Sequence, residues 1–392
     1  MGGECWKESE NLRRGRTVTR SMNNGSSRHR NIHSEYLIDM TTLDSVGPRF
    51  GVWAPVHGPR AAFEDPDEPF DASWSHNRRV VLEAEALGYH STLIAQHTAN
   101  PYQPALDQLE AWTSAAALAA LTNRIEIIAA IKPYIYHPVF LAKMALQIEN
   151  ISGGRFGINL VNAWNQSEFA KAGIEFAEHD DRYAYGREWI SVVARLMRGE
   201  TVTHQGDNFR ITDYALNPKD LYRERPQIYV GGESEPARSL VAEHGDTWFI
   251  NSQPLSDVQA LVRNLRARPR RGAPLRFGLS AFVIARETEE EAQAHHQRLL
   301  NLSKNGMAIQ DVIKSNVDPK AVMFQSMKKS LRVGSNGGTA ANLIGSYDQV
   351  AGRINEFHAA GIDLFMLQFQ PLLVEMRSFA AYVFPLFSTR QT

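Results

Sequence analysis

From Phe50 onward the chain alternates short apolar runs with amphipathic stretches. Phe50-Gly51-Val52-Trp53-Ala54-Pro55 reads as a buried strand stopped by proline. Residues 77–87 follow with helical spacing, and Gly88 stands where a left-handed residue closes a helix. Residues 92–96 are the next strand. The alanine- and leucine-rich stretch 105–121 predicts a helix, and 125–131 is strongly strand-like. Residues 138–148 are helical again. Ser152-Gly153-Gly154 then turns the chain into a strand at 155–161. Further buried runs fall at 227–230, 247–250, 277–285 and 362–368, making eight in all, most of them separated by helical pattern.

Eight repeats of strand and helix predict a (β/α)8 TIM barrel over residues 48–392. A doubly wound open sheet is the rival. It normally carries a glycine-rich phosphate turn after its first strand, but here that strand runs into Ala54-Pro55-Val56-His57-Gly58, and neither GxGxxG nor GxxxxGK[ST] occurs. Residues 301–340 break the rhythm between the seventh and eighth strands. They hold Lys328-Lys329, Arg332 and then Gly334-Ser335-Asn336-Gly337-Gly338, the composition expected of a mobile lid on the catalytic face or of a plain surface excursion.

The first 47 residues differ. Residues 1–30 contain seven Lys or Arg against three Glu and hardly a large aliphatic side chain, so this tail is expected to be disordered. Arg13-Arg14 is followed by no apolar stretch, which speaks against a twin-arginine signal. Over the whole chain, 42 basic residues balance 43 acidic ones, which disfavours a nucleic-acid coat or a polybasic membrane binder. No apolar run approaches the roughly 20 residues that span a bilayer. A lone cysteine, Cys5, excludes a disulfide framework and a cysteine zinc cluster. The expectation is a cytoplasmic enzyme.

In a barrel the chemistry belongs to the loops that follow the strands. The fourth strand runs into Asn162-Ala163-Trp164-Asn165-Gln166-Ser167-Glu168, a polar and aromatic cluster able to hydrogen-bond a heteroaromatic ring; asparagines also serve turns. Arg182-Tyr183, after Glu178-His179-Asp180-Asp181, pairs a guanidinium with a phenol and suits a phosphate, or is an ordinary salt-bridged helix start. Gly231-Gly232-Glu233-Ser234 joins a strand to a helix and could hold an anion, although capping by Ser234 explains it almost as well. His57, His97 and His137 each follow an apolar run and are candidates for the barrel mouth. His295-His296 lies on a charged helix and is read as solvated, not as a metal site. Glu64-Asp65-Pro66-Asp67-Glu68-Pro69 is read as a solvated loop. No GxSxG or HExxH motif is present, and no metal is expected.

Together these stretches resemble the bacterial-luciferase-like flavin monooxygenases, whose fold is a (β/α)8 barrel. The resemblance is carried in order over roughly residues 48–388 by residues 151–161, the 164–168 cluster, Asp181-Arg182-Tyr183 and Gly231-Gly232-Glu233-Ser234. Gly345-Ser346-Tyr347-Asp348-Gln349-Val350 and Gly361-Ile362-Asp363 complete it. It is closest to the two-component branch of pyrimidine, dimethyl-sulfone and alkanesulfonate monooxygenases. The resemblance implies reduced FMN delivered by a separate NAD(P)H-dependent flavin reductase, O2 as co-substrate, a homo-oligomer (dimer or tetramer), and cleavage of a C–S or C–N bond in a small organic molecule. It also implies FMN contacts at Ala95, Gln96, Asn159, Glu168, Arg182, Tyr183, Gly232 and Ser234. Of these, Arg182, Tyr183 and Ser234 fall to the phosphate, and Asn159 and Glu168 to the ring system. His57, Trp164 and Asn165 are the catalytic candidates. Where alkanesulfonate monooxygenases carry Arg-x-His on the seventh strand, this chain has Ser280 and Phe282, and Arg332 is offset from the family's later arginine. A charged sulfonate wants a guanidinium, so a neutral sulfone or cyclic amide fits better. The alternatives are an alkanesulfonate monooxygenase proper, a coenzyme-F420-dependent oxidoreductase and a non-catalytic flavin-binding protein.

Overall fold

The computed structural model describes residues 47–59, 65–101, 103–162, 165–305 and 333–388, of residues 304, 305 and 388 the backbone alone. The expected tail lies outside the described residues up to residue 46, as do Trp164 and residues 306–332 with Lys328, Lys329 and Arg332. The strands, in chain order, are β1 (Arg49–Trp53), β2 (Ser91–Ile94), β3 (Glu126–Ile131), β4 (Phe156–Leu160), β5 (Val202–Gln205), β6 (Arg210–Tyr214), β7 (Gln227–Gly231), β8 (Thr247–Ile250), β9 (Arg276–Phe282), β10 (Ile284–Arg286), β11 (Ile344–Ser346) and β12 (Leu364–Gln368). Around them lie α1 (Trp74–Leu87), α2 (Ala111–Leu121), α3 (Pro138–Ser152), α4 (Gln166–Lys171), α5 (His179–Met197), α6 (Glu235–His244), α7 (Leu255–Arg266), α8 (Glu289–Asn305), α9 (Tyr347–Ala359) and α10 (Leu372–Tyr382).

Eight of the strands close into a barrel in the order β1, β2, β3, β4, β7, β8, β9, β12, every pairing parallel. These are the eight apolar runs of the sequence. β3 is buried at every position, as a strand must be when helices cover one face and the barrel interior the other. The helices begin and end where side-chain chemistry dictates. Ser73 accepts the His76 amide to start α1, and Gly88, at φ 91°, closes it. Ser346 and Gln349 form a reciprocal capping box on α9.

The larger core lies between sheet and helices. A smaller one, Leu93, Ile128, Tyr229, Phe249, Leu364 and Met366, fills the barrel. Two glycines make room for its rings: a Cβ on Gly157 would stand 2.9 Å from the Tyr229 ring, and one on Gly278 2.9 Å from that of Phe249. The N-terminal end of the barrel carries polar groups, with Tyr229 Oη donating to Glu126 Oε2 at 2.8 Å.

Several expectations need correction. The second helix starts at Ala111, not at residue 105, because Glu110 accepts the amides of Trp112 and Thr113 and caps it there. The hairpin β5–β6 was not anticipated; its alternation is short and only Val202 and Ile211 are buried. The seventh strand leaves the barrel after Phe282, and Ile284–Arg286 pairs instead with Ile344–Ser346. The connection between the seventh and eighth barrel strands therefore holds β10, α8, β11 and α9, and most of residues 301–340, the expected lid, lies outside the described residues. Asp65 is not solvated: it is 2% exposed, and α8 brings Arg298 Nη2 within 2.6 Å of it while Gln370 Nε2 donates at 3.0 Å. The same packing half-buries His295 and His296 and sets His295 Nε2 3.1 Å from the Gln370 carbonyl oxygen.

Candidate active site

The C-terminal rim of the barrel gathers the chemistry, and each side chain arrives there by the alternation of its strand. Gly157 faces the interior aromatic ring of Tyr229, so Asn159, two residues on, shares its face. Lys132 directly follows β3 and precedes Pro133, which ends the strand. Trp53, Ser280 and Gln368 lie toward the C-terminal ends of β1, β9 and β12.

A buried ionic cluster ties the loops after β2, β3 and β4 together. Glu168, in the first turn of α4, accepts from the Thr98 amide at 2.7 Å and the Thr98 hydroxyl at 3.1 Å through Oε1. Its Oε2 accepts from Lys132 Nζ at 2.5 Å and lies 3.3 Å from His97 Nδ1. The Lys132 and Glu168 side chains are 3% and 5% exposed. Burial alone would raise the Glu168 pKa, but the hydrogen bond to His97 and the charge of Lys132 outweigh it and bring it down to about 2. Burial lowers the Lys132 pKa, against the pull of Glu168. All the acceptor positions of Glu168 are thus engaged by protein groups. Gln96 joins the cluster by accepting the Lys132 backbone N–H at 2.7 Å, and Ala95 beside it is buried. His57 stands edge-on to His97 with ring centroids 6.1 Å apart. Asn165, a catalytic candidate, accepts the Glu168 amide and caps α4. His137 caps α3.

Across β4 lies the second group. Gly232 adopts φ +115°, and a Cβ there would come within 3.0 Å of Tyr183 Oη and 3.1 Å of the Ala237 Cβ. Only glycine is accommodated at this close approach, and the turn is held further by Trp248 Nε1 donating to the Gly232 carbonyl at 2.7 Å. Tyr183, from α5, is therefore brought against the Gly231-Gly232-Glu233-Ser234 turn that opens α6. Ser234 accepts the Ala237 amide at 3.4 Å, the capping role the sequence allowed. Arg182, beside Tyr183, is buried. It donates from Nη1 to the Ala177 carbonyl at 2.6 Å and stacks 4.1 Å from the Phe176 ring centroid. Glu233 accepts the Asn251 amide at 3.0 Å. Burial, only partly offset by its hydrogen bonds, pushes its pKa up to about 7.

The structure thus assembles Gln96, His97, Glu168 and, with them, Lys132; it separately joins Tyr183 to Gly232 and Ser234. Trp164 falls outside the described residues. Sequence reasoning missed Lys132 and Glu233. The first had a signal: a lysine placed directly after an apolar strand, at the end where barrel chemistry resides. Glu233 sat inside a recognised motif but was passed over for its glycines and serine. Among the described residues no three His, Cys, Asp or Glu side chains are grouped to hold a metal, and no helix is long and apolar enough to cross a membrane.

Comparison with known proteins agrees with this architecture. The chain is 32% identical over 323 residues to an FMNH2-dependent dimethylsulfone monooxygenase of Pseudomonas putida, covering 80% of this chain and 88% of that protein. It is 30% identical over 345 residues to a protein of the same name from Pseudomonas fluorescens strain Pf0-1, covering 86% and 94%. A crystal structure of riboflavin lyase with modified FMN and riboflavin shares the fold, with a TM-score of 0.74 at 20% identity over 88% of this chain and 92% of that one. The model of the luciferase-like monooxygenases matches residues 49–364, from the start of β1 to the first residue of β12, and the chain belongs to that family.

Proposed function

We propose that this protein is an FMNH2- and O2-dependent monooxygenase that cleaves a C–S bond in a small, neutral organosulfur compound, with reduced flavin supplied by a separate NAD(P)H-dependent reductase. The observation that carries the reading is the turn at residues 231–234. A ten-residue helix opens there with Ser234 at its N-cap, Gly232 lets the backbone approach closely, and Tyr183 Oη stands beside it. Such a helix start favours a phosphate. The buried amide oxygen of Asn159, on the neighbouring strand β4, has no hydrogen-bond partner among the described residues. An acceptor of this kind suits a ligand that carries N–H groups, as reduced flavin does. Tyr183, Gly232, Ser234 and Asn159 fit FMN in this way, and on this reading Arg182 would join the first three at its phosphate while Gln96 and Ala95 would join Asn159 at its ring system.

Bound reduced FMN supplies the electrons that activate O2. The chain's own residues do the rest. Glu168, saturated by Thr98, Lys132 and His97, fixes the loops after β2 and β4 to the end of β3; on this geometry it positions the pocket instead of touching the flavin. His97, whose Nδ1 edge faces Glu168 and Lys132, and His57 beside it are the histidines this reading assigns to proton exchange. Ser280 and Phe282 leave this part of the wall uncharged, which favours a neutral sulfone over a sulfonate anion, and the organosulfur relatives point to the same chemistry.

The test is a reductase-coupled assay with a panel of sulfones, alkanesulfonates and cyclic amides. Oxidation of one methyl group of dimethyl sulfone breaks the C–S bond to give formaldehyde and methanesulfinate, with the second oxygen atom leaving as water. Formaldehyde formed from dimethyl sulfone and not from methanesulfonate is the expected result; turnover of the cyclic amides alone would refute the organosulfur assignment.

A further inference from the structure

Trp53, Ser280 and Gln368 belong to β1, β9 and β12, consecutive strands of the closed sheet. In that ring β12 stands four strands from β4, and β1 four strands from β7. Gln368 and Trp53 therefore stand across the barrel from Asn159 and the 231–234 turn, while Ser280, on β9, lies three strands from β4 and two from β7. Trp53 Nε1 donates to Ser280 Oγ at 3.2 Å, and Gln368 Nε2 donates to the same oxygen at 3.1 Å. Chemistry fixes both directions. An indole nitrogen can only donate. Gln368 Oε1 accepts the Ser335 backbone N–H at 2.9 Å, and Nε2 also donates to the Ser335 carbonyl at 2.9 Å, so the amide cannot be reversed without losing both bonds.

A hydroxyl oxygen has two acceptor positions, and both are taken at Ser280. Its own proton must point elsewhere, and the described residues offer it no acceptor. The side chain is only 1% exposed, so a donor left unpaired there is costly unless a ligand completes it. We propose that the Ser280 hydroxyl is the donor that receives a neutral oxygen acceptor of the substrate, a sulfonyl oxygen on the organosulfur reading, on which this inference rests. Trp53 and Gln368 act through Ser280: by donating to it, they convert it from an ambivalent hydroxyl into a dedicated donor.

Anaerobic calorimetry on the protein loaded with reduced FMN tests this with dimethyl sulfone and dimethyl sulfide, which share a skeleton but differ in oxygen acceptors. Ser280→Ala should bind the sulfone about fivefold to tenfold more weakly, the range for one neutral hydrogen bond, and the sulfide as before. Ser280→Thr, which keeps the hydroxyl, should keep the preference for the sulfone. Should the alanine variant not fold, Ser280→Cys supplies the same comparison with a weaker donor. Equal losses for both ligands, or no loss for either, overturn the proposal, and so does a loss confined to FMN affinity. If the wild-type protein binds neither ligand, the organosulfur reading falls on its own. The comparison then moves to 2-pyrrolidinone and its thione, and Ser280→Ala must lose the lactam selectively or the proposal falls too.

Discussion

Replacing Lys132 by methionine removes the cation from a pair that water cannot reach and leaves the Glu168 carboxylate to Thr98 and His97. In the intact cluster the Glu168 pKa falls from an ordinary value of 4.5 to about 2. That difference corresponds to roughly 3 kcal/mol favouring the charged form in the folded state, at about 1.4 kcal/mol for each pKa unit. Only part of this belongs to Lys132, because the hydrogen bond to His97 lowers the same pKa, but breaking a buried pair by removing one partner costs about 3–5 kcal/mol. Lys132→Met should therefore lower the thermal midpoint at pH 7 by roughly 5 °C or more. The pH dependence has a definite sign. A depressed carboxylate contributes stability that is fully present above pH 4.5 and is lost as the pH falls toward 2. The gap between wild type and variant should accordingly be widest near neutrality and close on acidification through that window. Adding Glu168→Gln to Lys132→Met should recover much of the loss, since no uncompensated charge then remains. Scanning calorimetry at neutral and acidic pH reads all of this. A variant as stable as wild type at pH 7, or a deficit independent of pH, would refute the reasoning.

Two further outcomes follow from the anion site proposed at the 231–234 turn. Arg182→Ala should weaken reduced-FMN binding by about 1.5–3 kcal/mol, the range for a hydrogen bond to a charged group, while riboflavin, without the phosphate, barely responds; anaerobic fluorescence titration of both flavins decides, and equal losses would reduce Arg182 to its contacts with Ala177 and Phe176. Glu233, with its pKa raised to about 7, contributes stability that is fully present below pH 4.5 and declines as the pH rises through 7, so Glu233→Gln should flatten the stability profile between those values. An unchanged slope in thermal midpoints measured across that range would contradict the burial argument.

The barrel was legible because its signal is local and repeated: eight apolar runs of strand length, set apart by helical spacing and punctuated by Gly88, Gly153 and Pro55. What escaped depended on contacts between distant segments. Asp65 reads as one carboxylate in an acidic loop, and only the return of α8 with Arg298, 233 residues later, buries it. The β5–β6 hairpin is too short for its alternation to stand out. At the candidate site, the sequence singled out Glu168 for its charge beside an asparagine and tryptophan cluster, but not the lysine that engages it from the end of another strand. A chain pattern shows that a charge is present; whether its acceptor positions are already filled is a property of the folded neighbourhood. Ser280 makes the same point, since nothing in Leu279-Ser280-Ala281 shows that two donors converge on its oxygen.

The account's central claim, oxygenation of a neutral organosulfur compound at the expense of reduced FMN, is tested most directly by a single turnover. Protein loaded anaerobically with a limiting amount of reduced FMN is mixed with oxygenated buffer containing dimethyl sulfone, and formaldehyde and hydrogen peroxide are counted against flavin oxidised. Formaldehyde close to stoichiometric with reduced flavin, falling to nothing when the sulfone is omitted, is the predicted result. Flavin oxidation that yields hydrogen peroxide alone, with or without the sulfone, would contradict it.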